Sequence, residues 1–573
     1  IAQLRKALDD DAKDPSYIET VSRTGYRLIA AVETGTSNPA RKIAAPVAAA
    51  AALIAALALT ALVWIDGSRR TAEPAVAVLP FDNLTGNAAL DYVGDGVAEE
   101  IIATLTRVPP LRVRARNQSF RFRDAGKDVS ATADELDVRF IVAGSVRQDG
   151  TRLRVTARLV DTRDSVNLWT QTEEHDVLEL FEGQDAISRG VAEALAAATG
   201  VETVEFAGES RYKPLPEAYD LYLRGRHIWH RRGNEPLQPA IDLFREAVRI
   251  DPDFGRGWGA LATAYLTYPS YSAAGRQTWY LAEEAAQKAL ELDPDIPEAY
   301  GVLATFAYTR QRWRESESLY LEGIRRDERS ATAHYWYGEF LAIVGKQKQS
   351  VEQFRRTLEL DPTYQPPQLN IAFAKVAFRD FVGARAQFRD LWQRGHRTPL
   401  SWMGNFMSSV LTEHYDEASD WIDGAEMGDD QKALLRRFVA IRAGEADDAA
   451  LGEDLMTYFW RRPDYPLAVW MGGLLGAADR VLALLNARLD NGWLVEPRPL
   501  WAPGVNLDDD PGFEAFLERM GLINYWDASG WSDVCRRHAG EIRCDAADLT
   551  PETLRRILEP AASDENAPRM AAP

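Results

Sequence analysis

The sequence has few of the residues from which catalytic and metal centres are most often built. Only two cysteines and seven histidines occur among its 573 residues, and the histidines are scattered. The sequence also contains no nucleophile elbow, no zinc-protease motif and no phosphate-binding loop of the Walker type. These absences predict that the chain is not an enzyme and binds no cofactor.

Positive charge is also scarce. The chain has 66 Lys and Arg against 86 Asp and Glu, a formal net charge of −20. Because an acidic surface repels phosphate groups, most of the chain is predicted to be a poor nucleic-acid binder. Residues 1–42 differ, with seven basic and six acidic residues. Hydrophobic content of 46% and charged content of 27% are typical of packed globular domains.

The two cysteines allow two interpretations. Eight residues separate Cys535 from Cys544. If this part of the chain lies outside the cytoplasm, a disulfide is expected, and if it lies inside, two free thiols are expected. A zinc site would need more ligands than the nearby His538 supplies. His227 and His230 lie one helical turn apart without a third ligand, so we interpret them as helix-surface residues.

One long uncharged run is present, at residues 43–65, between Arg41-Lys42 and Arg69-Arg70. At about 1.5 Å per residue, a helix of this length can cross the roughly 30 Å core of a bilayer. The run therefore predicts a single transmembrane helix, with a buried helix of a soluble protein as the alternative. The greater number of basic residues before the run favours a cytoplasmic N-terminus and a periplasmic C-terminal part, in the inner membrane.

The pattern of the first residues predicts part of a folded unit. The chain begins at Ile1 and not at Met, which predicts that the true N-terminus is missing. Apolar residues at helical spacing in 1–8 are followed by two β-rich runs, 17–21 and 26–30, around a short turn with glycine. The sequence therefore predicts a helix followed by a hairpin, and residues 34–42 form a polar linker.

With its YIETV and GYR segments, this region resembles the end of the winged-helix output domain of the OmpR/PhoB class, over residues 1–33. The resemblance implies that Arg5 and Lys6 contact DNA from the recognition helix, and Arg23 and Thr24 from the wing. Ordinary solvated charges on a small hairpin are the alternative. Most of the family's domain is absent from this chain, so DNA binding is expected only of the complete N-terminal domain.

Residues 75–200 predict a mixed α/β domain. An apolar strand at 75–80 precedes a helix at 97–105, for which Asp95 is a candidate N-cap within a Gly-Asp-Gly helix-start turn. Alternating runs at 138–146 and 152–160 flank Gln148-Asp149-Gly150, which is typical of a hairpin. A second amphipathic helix follows at 180–198. Arg112, Arg114 and Arg116 alternate with apolar residues and are expected on the solvent face of a strand.

The AVLPFDNLTG, DYVGDGVAEEI and AGSVRQDG segments of this region resemble the FlgO/TolB-N-like domain. That domain commonly sits between a membrane helix and tetratricopeptide repeats.

An internal repeat follows. Asp-Pro pairs end at Pro252, Pro294 and Pro362, and the last two prolines are 68 residues apart, twice the 34-residue tetratricopeptide period. The first interval is 42, which predicts eight inserted residues near 268–277. The pattern resembles tetratricopeptide repeats over 216–395, with irregular helical repeats over 396–530 and a tail over 531–573. Such arrays stack into a solenoid that binds a protein or peptide ligand.

The predicted fold class is therefore multidomain: a winged-helix remnant, a single transmembrane helix, a mixed α/β domain and an all-α tetratricopeptide-like solenoid. This order resembles membrane-embedded transcription regulators of the CadC/ToxR type. The resemblance implies a one-component regulator that binds DNA, sits in the membrane, senses a ligand outside and acts as a homodimer. The alternative function is an envelope tetratricopeptide scaffold or assembly protein. A third interpretation is a soluble repeat regulator in which residues 43–65 form a packed helix.

Overall fold

The structure is a computed structural model that describes two separate parts of the chain. It describes residues 74–558 except 107, 109–110, 124–127, 151, 177–179, 201–211, 231–236, 271–277, 363, 463, 539 and 545–548. It also describes residues 1–29 except 2, 4, 6, 8, 9, 12, 14 and 22–24. The chain divides into two compact units, Ile1–Ala72 and Glu73–Pro573.

The described part of the first unit is built around a hairpin. Strands β1 (Ile18–Val21) and β2 (Gly25–Leu28) pair antiparallel, with Ile18 opposite Leu28. The carboxylate of Asp10 accepts hydrogen bonds from the backbone N–H groups of Ser16, Tyr17 and Ile18, which fixes the entry to β1. The predicted hairpin is confirmed. The winged-helix remnant in the predicted fold class is wrong, because the described residues of this unit, which are helical positions within 1–8 followed by the hairpin, form no winged-helix domain.

The predicted transmembrane helix, residues 43–65, lies outside the described residues. Among the residues that the structure does describe, no helix combines the length and the apolar character needed to cross a membrane. The prediction of a single-pass inner-membrane protein with a periplasmic C-terminal part is therefore wrong.

The second unit begins with a six-stranded sheet. Its strands are β3 (Ala75–Val78), β4 (Asp82–Asn83), β5 (Arg112–Val113), β6 (Phe140–Asp149), β7 (Arg152–Asp161) and β8 (Val166–Asp176). The order is β5-β3-β6-β7-β8, with β4 also paired to β6. Contacts of β6 with β3 and β4 are parallel, whereas β6-β7 and β7-β8 are antiparallel. The predicted hairpin is confirmed, with Asp149 opposite Arg152 and Gly150 at φ +62° in the turn.

Helices cover both faces of this sheet, because successive strand residues point to opposite sides. Val76 and Val78 join the core under α1 (Asp91–Thr106) and α4 (Leu180–Thr199). Ala77 and Leu79 instead pack with Phe122 and Leu136, which belong to the segment that contains α2 (Arg116–Phe120) and α3 (Val129–Leu136).

The start of α1 differs from the prediction. The helix begins at Asp91, so Asp95 is not an N-cap and the Gly-Asp-Gly segment lies within the helix. A Cβ at Gly94 would lie 2.6 Å from the carbonyl oxygen of Phe81, and one at Gly96 would lie 2.9 Å from Leu223 Cδ2. These glycines therefore allow close packing on both sides of the helix, a tertiary demand that the sequence pattern does not reveal.

Paired helices make up most of the remainder, so the described chain is mainly helical. Their bounds are α5 (Pro216–His230), α6 (Gln238–Ile250), α7 (Gly255–Thr267), α8 (Trp279–Leu292), α9 (Pro297–Thr309), α10 (Trp313–Arg326), α11 (Ala331–Ile343), α12 (Gln347–Leu360), α13 (Gln365–Ala377), α14 (Phe381–Gln393), α15 (Pro399–Leu411), α16 (Tyr415–Asp423), α17 (Asp429–Arg442), α18 (Leu451–Phe459), α19 (Tyr465–Leu474) and α20 (Ala478–Asp490). Short helices α21 (Phe513–Arg519), α22 (Leu522–Ser529) and α23 (Pro551–Leu558) follow.

The repeat period is visible in the helix starts. Helices α9, α11, α13 and α15 begin at 297, 331, 365 and 399, each 34 residues after the one before. Eleven residues (268–278) separate α7 from α8, whereas three (310–312) separate α9 from α10. The predicted eight-residue insertion is therefore confirmed between the two helices of one pair.

One hydrogen bond recurs from repeat to repeat. Trp258 Nε1 and Tyr300 Oη donate to the carbonyl oxygens of Pro252 and Pro294, at 2.9 and 3.0 Å. His334 Nε2 lies 3.0 Å from the equivalent oxygen, that of Glu328, where the proline is missing. Three different side chains thus tie the start of a helix to the turn before it.

The C-terminal segment returns to the middle repeats. The indole N–H groups of Trp313, Trp501 and Trp526 donate to the carbonyl oxygens of Met520, Ile343 and Val344, at 2.6, 2.8 and 2.9 Å respectively. A short hairpin of β9 (Arg536–His538) and β10 (Glu541–Arg543) follows. A disulfide joins Cys535 to Cys544, with an S–S distance of 2.07 Å.

Candidate protein-binding site

Polar and aromatic side chains meet where the first helices of three successive pairs, α9, α11 and α13, lie side by side. These helices contribute Tyr308, Tyr335, Glu339 and Asn370. Asn370 Nδ2 donates to Tyr335 Oη at 3.2 Å, and Tyr335 also hydrogen-bonds Glu339. Because Tyr335 and Glu339 are four residues apart on α11, they point to the same side of that helix.

Residues after α20 complete this group. Arg498 Nε lies 2.7 Å from Glu496 Oε1, and the Arg498 guanidinium interacts electrostatically with Glu339. The backbone N–H of Glu496 donates to Tyr465 Oη at 2.6 Å, which holds this segment in place. We call the six side chains the inner cluster: Tyr308, Tyr335, Glu339, Asn370, Glu496 and Arg498.

Burial controls the charge states of the inner cluster. It raises the pKa of the Glu339 carboxyl, and the neighbouring Arg498 opposes this effect only in part. Burial, followed by the charge of Glu339, also raises the pKa of Tyr335. Burial alone would lower the pKa of Arg498, but Glu496 and Glu339 outweigh it and the pKa is raised. Arg498 therefore stays cationic beside two carboxyl groups.

The inner cluster remains open to solvent. The side chains of Glu496 and Arg498 are each 31% exposed, and the other four residues are half-buried. Half-buried donors, acceptors and aromatic rings that converge on one place are typical of a binding site. No cysteine, serine or histidine belongs to the cluster. Across the described ranges, no three His, Cys, Asp or Glu side chains are grouped so that they could hold a metal ion.

A second group of charges joins the sheet layer to the helix pairs. On α1, Asp95 is only 3% exposed in its side chain and forms an ion pair with Arg123. Asp95 Oδ2 lies 2.9 Å from His227 Nδ1 on α5 and 3.7 Å from Arg116 Nη2. A carboxylate this deeply buried is tolerated only when it is paired.

Two glutamates one turn further along α1 continue this contact. Glu99 accepts from Arg116 Nε at 2.5 Å and lies 2.9 Å from Arg226 Nη2 of α5. Glu100 accepts from Arg256 Nη2 of α7 at 2.9 Å. We call the set the ionic junction: Asp95, Glu99, Glu100, Arg116, Arg123, Arg226, His227 and Arg256.

The ionic junction corrects two interpretations of the sequence. His227 is not an ordinary helix-surface residue, since it faces a buried carboxylate. Arg112, Arg114 and Arg116 do not share one strand face: Arg112 is exposed, Arg114 Nη2 donates to the carbonyl oxygen of Asp137 at 2.7 Å, and Arg116 begins α2. The strand that was expected to carry all three ends at Val113.

Of the predicted DNA-contacting residues, only Arg5 is described. Its Nη2 donates to the carbonyl oxygen of Ile18 at 2.8 Å, its Nε lies 3.8 Å from Asp10, and its side chain is 13% exposed. Lys6, Arg23 and Thr24 lie outside the described residues. Their role in DNA contact stays a prediction that the structure does not test.

Sequence reasoning missed both charged groups. The sequence pattern predicts a cap at Asp95 and a solvated side chain at Arg116, and it predicts no role for Glu339 or Arg498. One signal was present for Glu339: a lone carboxyl among Tyr335, Trp336 and Phe340 on an otherwise apolar and aromatic helix. Nothing local marks Arg498, whose partner Glu339 is 159 positions earlier in the chain.

Comparison with known proteins gives limited similarity. No protein-family model matches the chain. A protein named putative adenylate cyclase 3 from Rhizobium meliloti (strain 1021) is 34% identical over 196 residues, which are 34% of this chain and 33% of that protein. The chain thus spans about a third of the length of this curated relative.

Two solved structures resemble parts of the chain. PilF from Pseudomonas aeruginosa is 23% identical with a TM-score of 0.29, over 40% of this chain and 96% of PilF. A tetratricopeptide repeat protein from Parabacteroides merdae is 15% identical with a TM-score of 0.30, over 46% of this chain and 98% of that protein. Scores this low do not establish a common fold for the whole chain.

The predicted membership of the CadC/ToxR class is wrong. That class needs a membrane span and a winged-helix reader, and the described residues contain neither. The expectation that the chain acts as a membrane-embedded, DNA-binding transcription regulator falls with it, whereas DNA contact by Lys6, Arg23 and Thr24 stays a prediction. The prediction of tetratricopeptide-like helix pairs, by contrast, is confirmed by the helices that begin every 34 residues. The expectation that the chain is not an enzyme stays a prediction, because its curated relative is named as one.

Proposed function

We propose that this chain is a repeat scaffold that binds a protein partner through the inner cluster. The observation that supports it most is the pair Glu339 and Arg498, two half-buried opposite charges on the face formed by α9, α11 and α13. Stacked helix pairs give a rigid platform for an extended peptide, and tetratricopeptide-like arrays use such platforms to bind partners.

The cluster offers complementary chemistry to a peptide. Glu339 and Glu496 can accept from a partner's N–H or cationic groups, while Arg498 and Asn370 can donate to its carbonyl or carboxylate groups. The ring of Tyr335 stands edge-on to Tyr364, with 5.3 Å between centroids, and these rings provide an apolar floor. Hydrogen bonds would then set orientation, and aromatic contact would supply much of the affinity.

A peptide-selection experiment tests this proposal. The purified chain is immobilised, a random peptide library is panned on it, and enriched peptides are measured by fluorescence anisotropy. We expect peptides with dissociation constants of about 1–100 µM, weakened about tenfold by Glu339→Gln or Arg498→Gln, since each loses one charge-assisted hydrogen bond. Glu359→Gln is the matched control, because Glu359 is paired with Arg355 within α12.

Two outcomes would contradict the proposal. If no peptide is enriched, or if all variants bind the enriched peptides equally well, the inner cluster is not the binding site. If the purified chain converts ATP to cyclic AMP, the activity named for the curated relative would replace the scaffold function.

A further inference from the structure

One face of the sheet carries exposed hydroxyl and guanidinium groups. The register of β6, β7 and β8 places Ser145, Thr156 and Thr172 in one row across the three strands. Arg147 and Arg154 lie opposite each other in the next row, and Arg158 and Thr170 in the row on the other side. We call these residues the sheet-face patch: Ser145, Arg147, Arg154, Thr156, Arg158, Thr170 and Thr172.

No helix of the described residues covers this patch. The opposite face is buried by α1 and α4, whereas α2 and α3 cover only the neighbouring part of the same face, where Ala143 is buried. Arg147, Arg158, Thr170 and Thr172 are exposed.

Two of the arginines have side chains without a partner in the described part of the chain. Arg154 Nε donates to Glu174 Oε1 at 2.5 Å, and the hydroxyls of Thr156 and Thr172 lie 3.0 Å apart. Within the described residues, the side chains of Arg147 and Arg158 form no ion pair and no hydrogen bond. The rows from Arg158 to Arg152 carry four arginines against Asp149, Glu174 and Asp176, so this face is weakly cationic in a chain whose net charge is −20.

The spacing of the patch fits an extended chain. Arg154 and Arg158 are four residues apart on β7, a distance of about 13 Å, with Thr156 midway. An extended peptide running along β7 repeats its side chains at the same intervals, so that carboxylates at positions i and i+4 would meet the guanidinium groups of Arg147, which is opposite Arg154, and of Arg158.

We propose that the sheet-face patch docks an extended acidic segment of a partner protein. Guanidinium groups bind carboxylates by paired N–H donation, and the central hydroxyls can donate to or accept from the partner's polar side chains. This surface is separate from the inner cluster, so it does not depend on the function proposed above.

The probe is a ten-residue peptide of alternating Glu and Thr, with a peptide of alternating Gln and Thr as its neutral counterpart. Binding to the full chain is followed by fluorescence anisotropy at low and moderate salt. We expect the acidic peptide alone to bind, and the double variant Arg147→Gln/Arg158→Gln to weaken binding at least about tenfold. The double lysine variant should retain part of the affinity, because it keeps the charge but not the planar fork.

Arg314→Gln, at an exposed position of α10, is the matched control and should bind as the unaltered chain does. Circular dichroism and the unfolding midpoint should be unchanged in all variants, which excludes misfolding. The proposal is overturned if the unaltered chain does not bind the acidic peptide or if the double glutamine variant binds it equally well. It is also overturned if heparin or a single-stranded oligonucleotide binds through these arginines while the peptide does not.

Discussion

The two largest hydrophobic cores of the second unit are joined to their neighbours in different ways. One core runs from Val76 to Phe306 and includes the sheet, α1, α4 and the first helix pairs. The other runs from Ala304 to Leu554 and includes the later pairs and the C-terminal segment. In the first, α1 meets α5 and α7 through the ionic junction. In the second, the returning segment is held by buried tryptophans.

The ion pairs and the buried tryptophans should respond differently to a change of pH and to substitution. Ion pairs with buried members depend strongly on every partner, because removing one leaves an uncompensated charge. Buried indole rings contribute mainly through apolar area and packing, which do not depend on pH. The first region is therefore expected to be sensitive to protonation and charge substitution, and the second to loss of volume.

The largest effect is expected in the second region. Trp526 is fully buried, and its ring centroid lies 6.0 Å from that of Trp501. Trp526→Ala should lower the free energy of unfolding by about 4 kcal/mol, because it leaves a large cavity. Trp526→Phe, the control, keeps most of the packing and should cost about 1–2 kcal/mol through the lost hydrogen bond to Val344. Denaturant unfolding measures the free energy of unfolding of both variants. If Trp526→Ala loses less than about 1 kcal/mol, the second region does not depend on buried volume as expected.

The next largest effect is expected at the ionic junction. Asp95→Asn keeps the side-chain volume but removes the charge that faces Arg123, Arg116 and His227. We expect a loss of about 3 kcal/mol in the free energy of unfolding. Asp185→Asn is the matched control, since Asp185 pairs with Arg189 on the surface of α4 and should change stability by less than about 0.5 kcal/mol. Equal effects of the two variants would show that the junction does not stabilise the contact.

The smallest of the three effects is a dependence on acid in the first region. Burial would raise the pKa of Asp161, but hydrogen bonds from Arg163 and Arg139 outweigh it and lower the pKa to about 2. A carboxyl whose pKa is lower in the folded state stabilises the protein above its unfolded pKa of about 4. That contribution, about 2 kcal/mol, should be lost as the pH falls from about 4 to 2.

Unfolding curves measured between pH 5 and pH 2 check this expectation. In Asp161→Asn, the free energy of unfolding should change less between pH 4 and pH 2 than in the unaltered chain, because the variant lacks the carboxyl group that becomes protonated in this range. If the variant and the unaltered chain lose stability in parallel through this range, Asp161 is not the group responsible.

The locally encoded parts of the fold were predictable. Gly150 in a two-residue turn and alternating runs on both sides indicated the β6-β7 hairpin, and the Asp-Pro spacing indicated the helix pairs and their insertion. The start of α1 was not predictable, because glycine usually precedes or ends a helix. Gly94 and Gly96 therefore indicated a later helix start than the structure has. Here they lie inside the helix, where the neighbouring Phe81 and Leu223 leave no room for a side chain.

Resemblance of short segments led to the largest error. A segment of about thirty residues and an alanine-rich run predict a membrane-embedded regulator, yet the described residues of the first form no winged-helix domain and the second lies outside the described residues. Local resemblance of this kind carries no information on the long-range contacts that define a fold. The sheet-face patch is different. Once the register of the strands is known, the residues that share one face follow directly from the alternation of side chains along each strand.

The order of residues by itself determined the 34-residue period, the helix pairs and the hairpins, because each depends on neighbours within a few tens of positions. The tertiary structure alone decided which charges are buried and which segments meet. His227 reaches Asp95 across 132 positions, and Trp526 reaches Val344 across 182. No local pattern marks such partners, because their pairing depends on how the intervening helices stack.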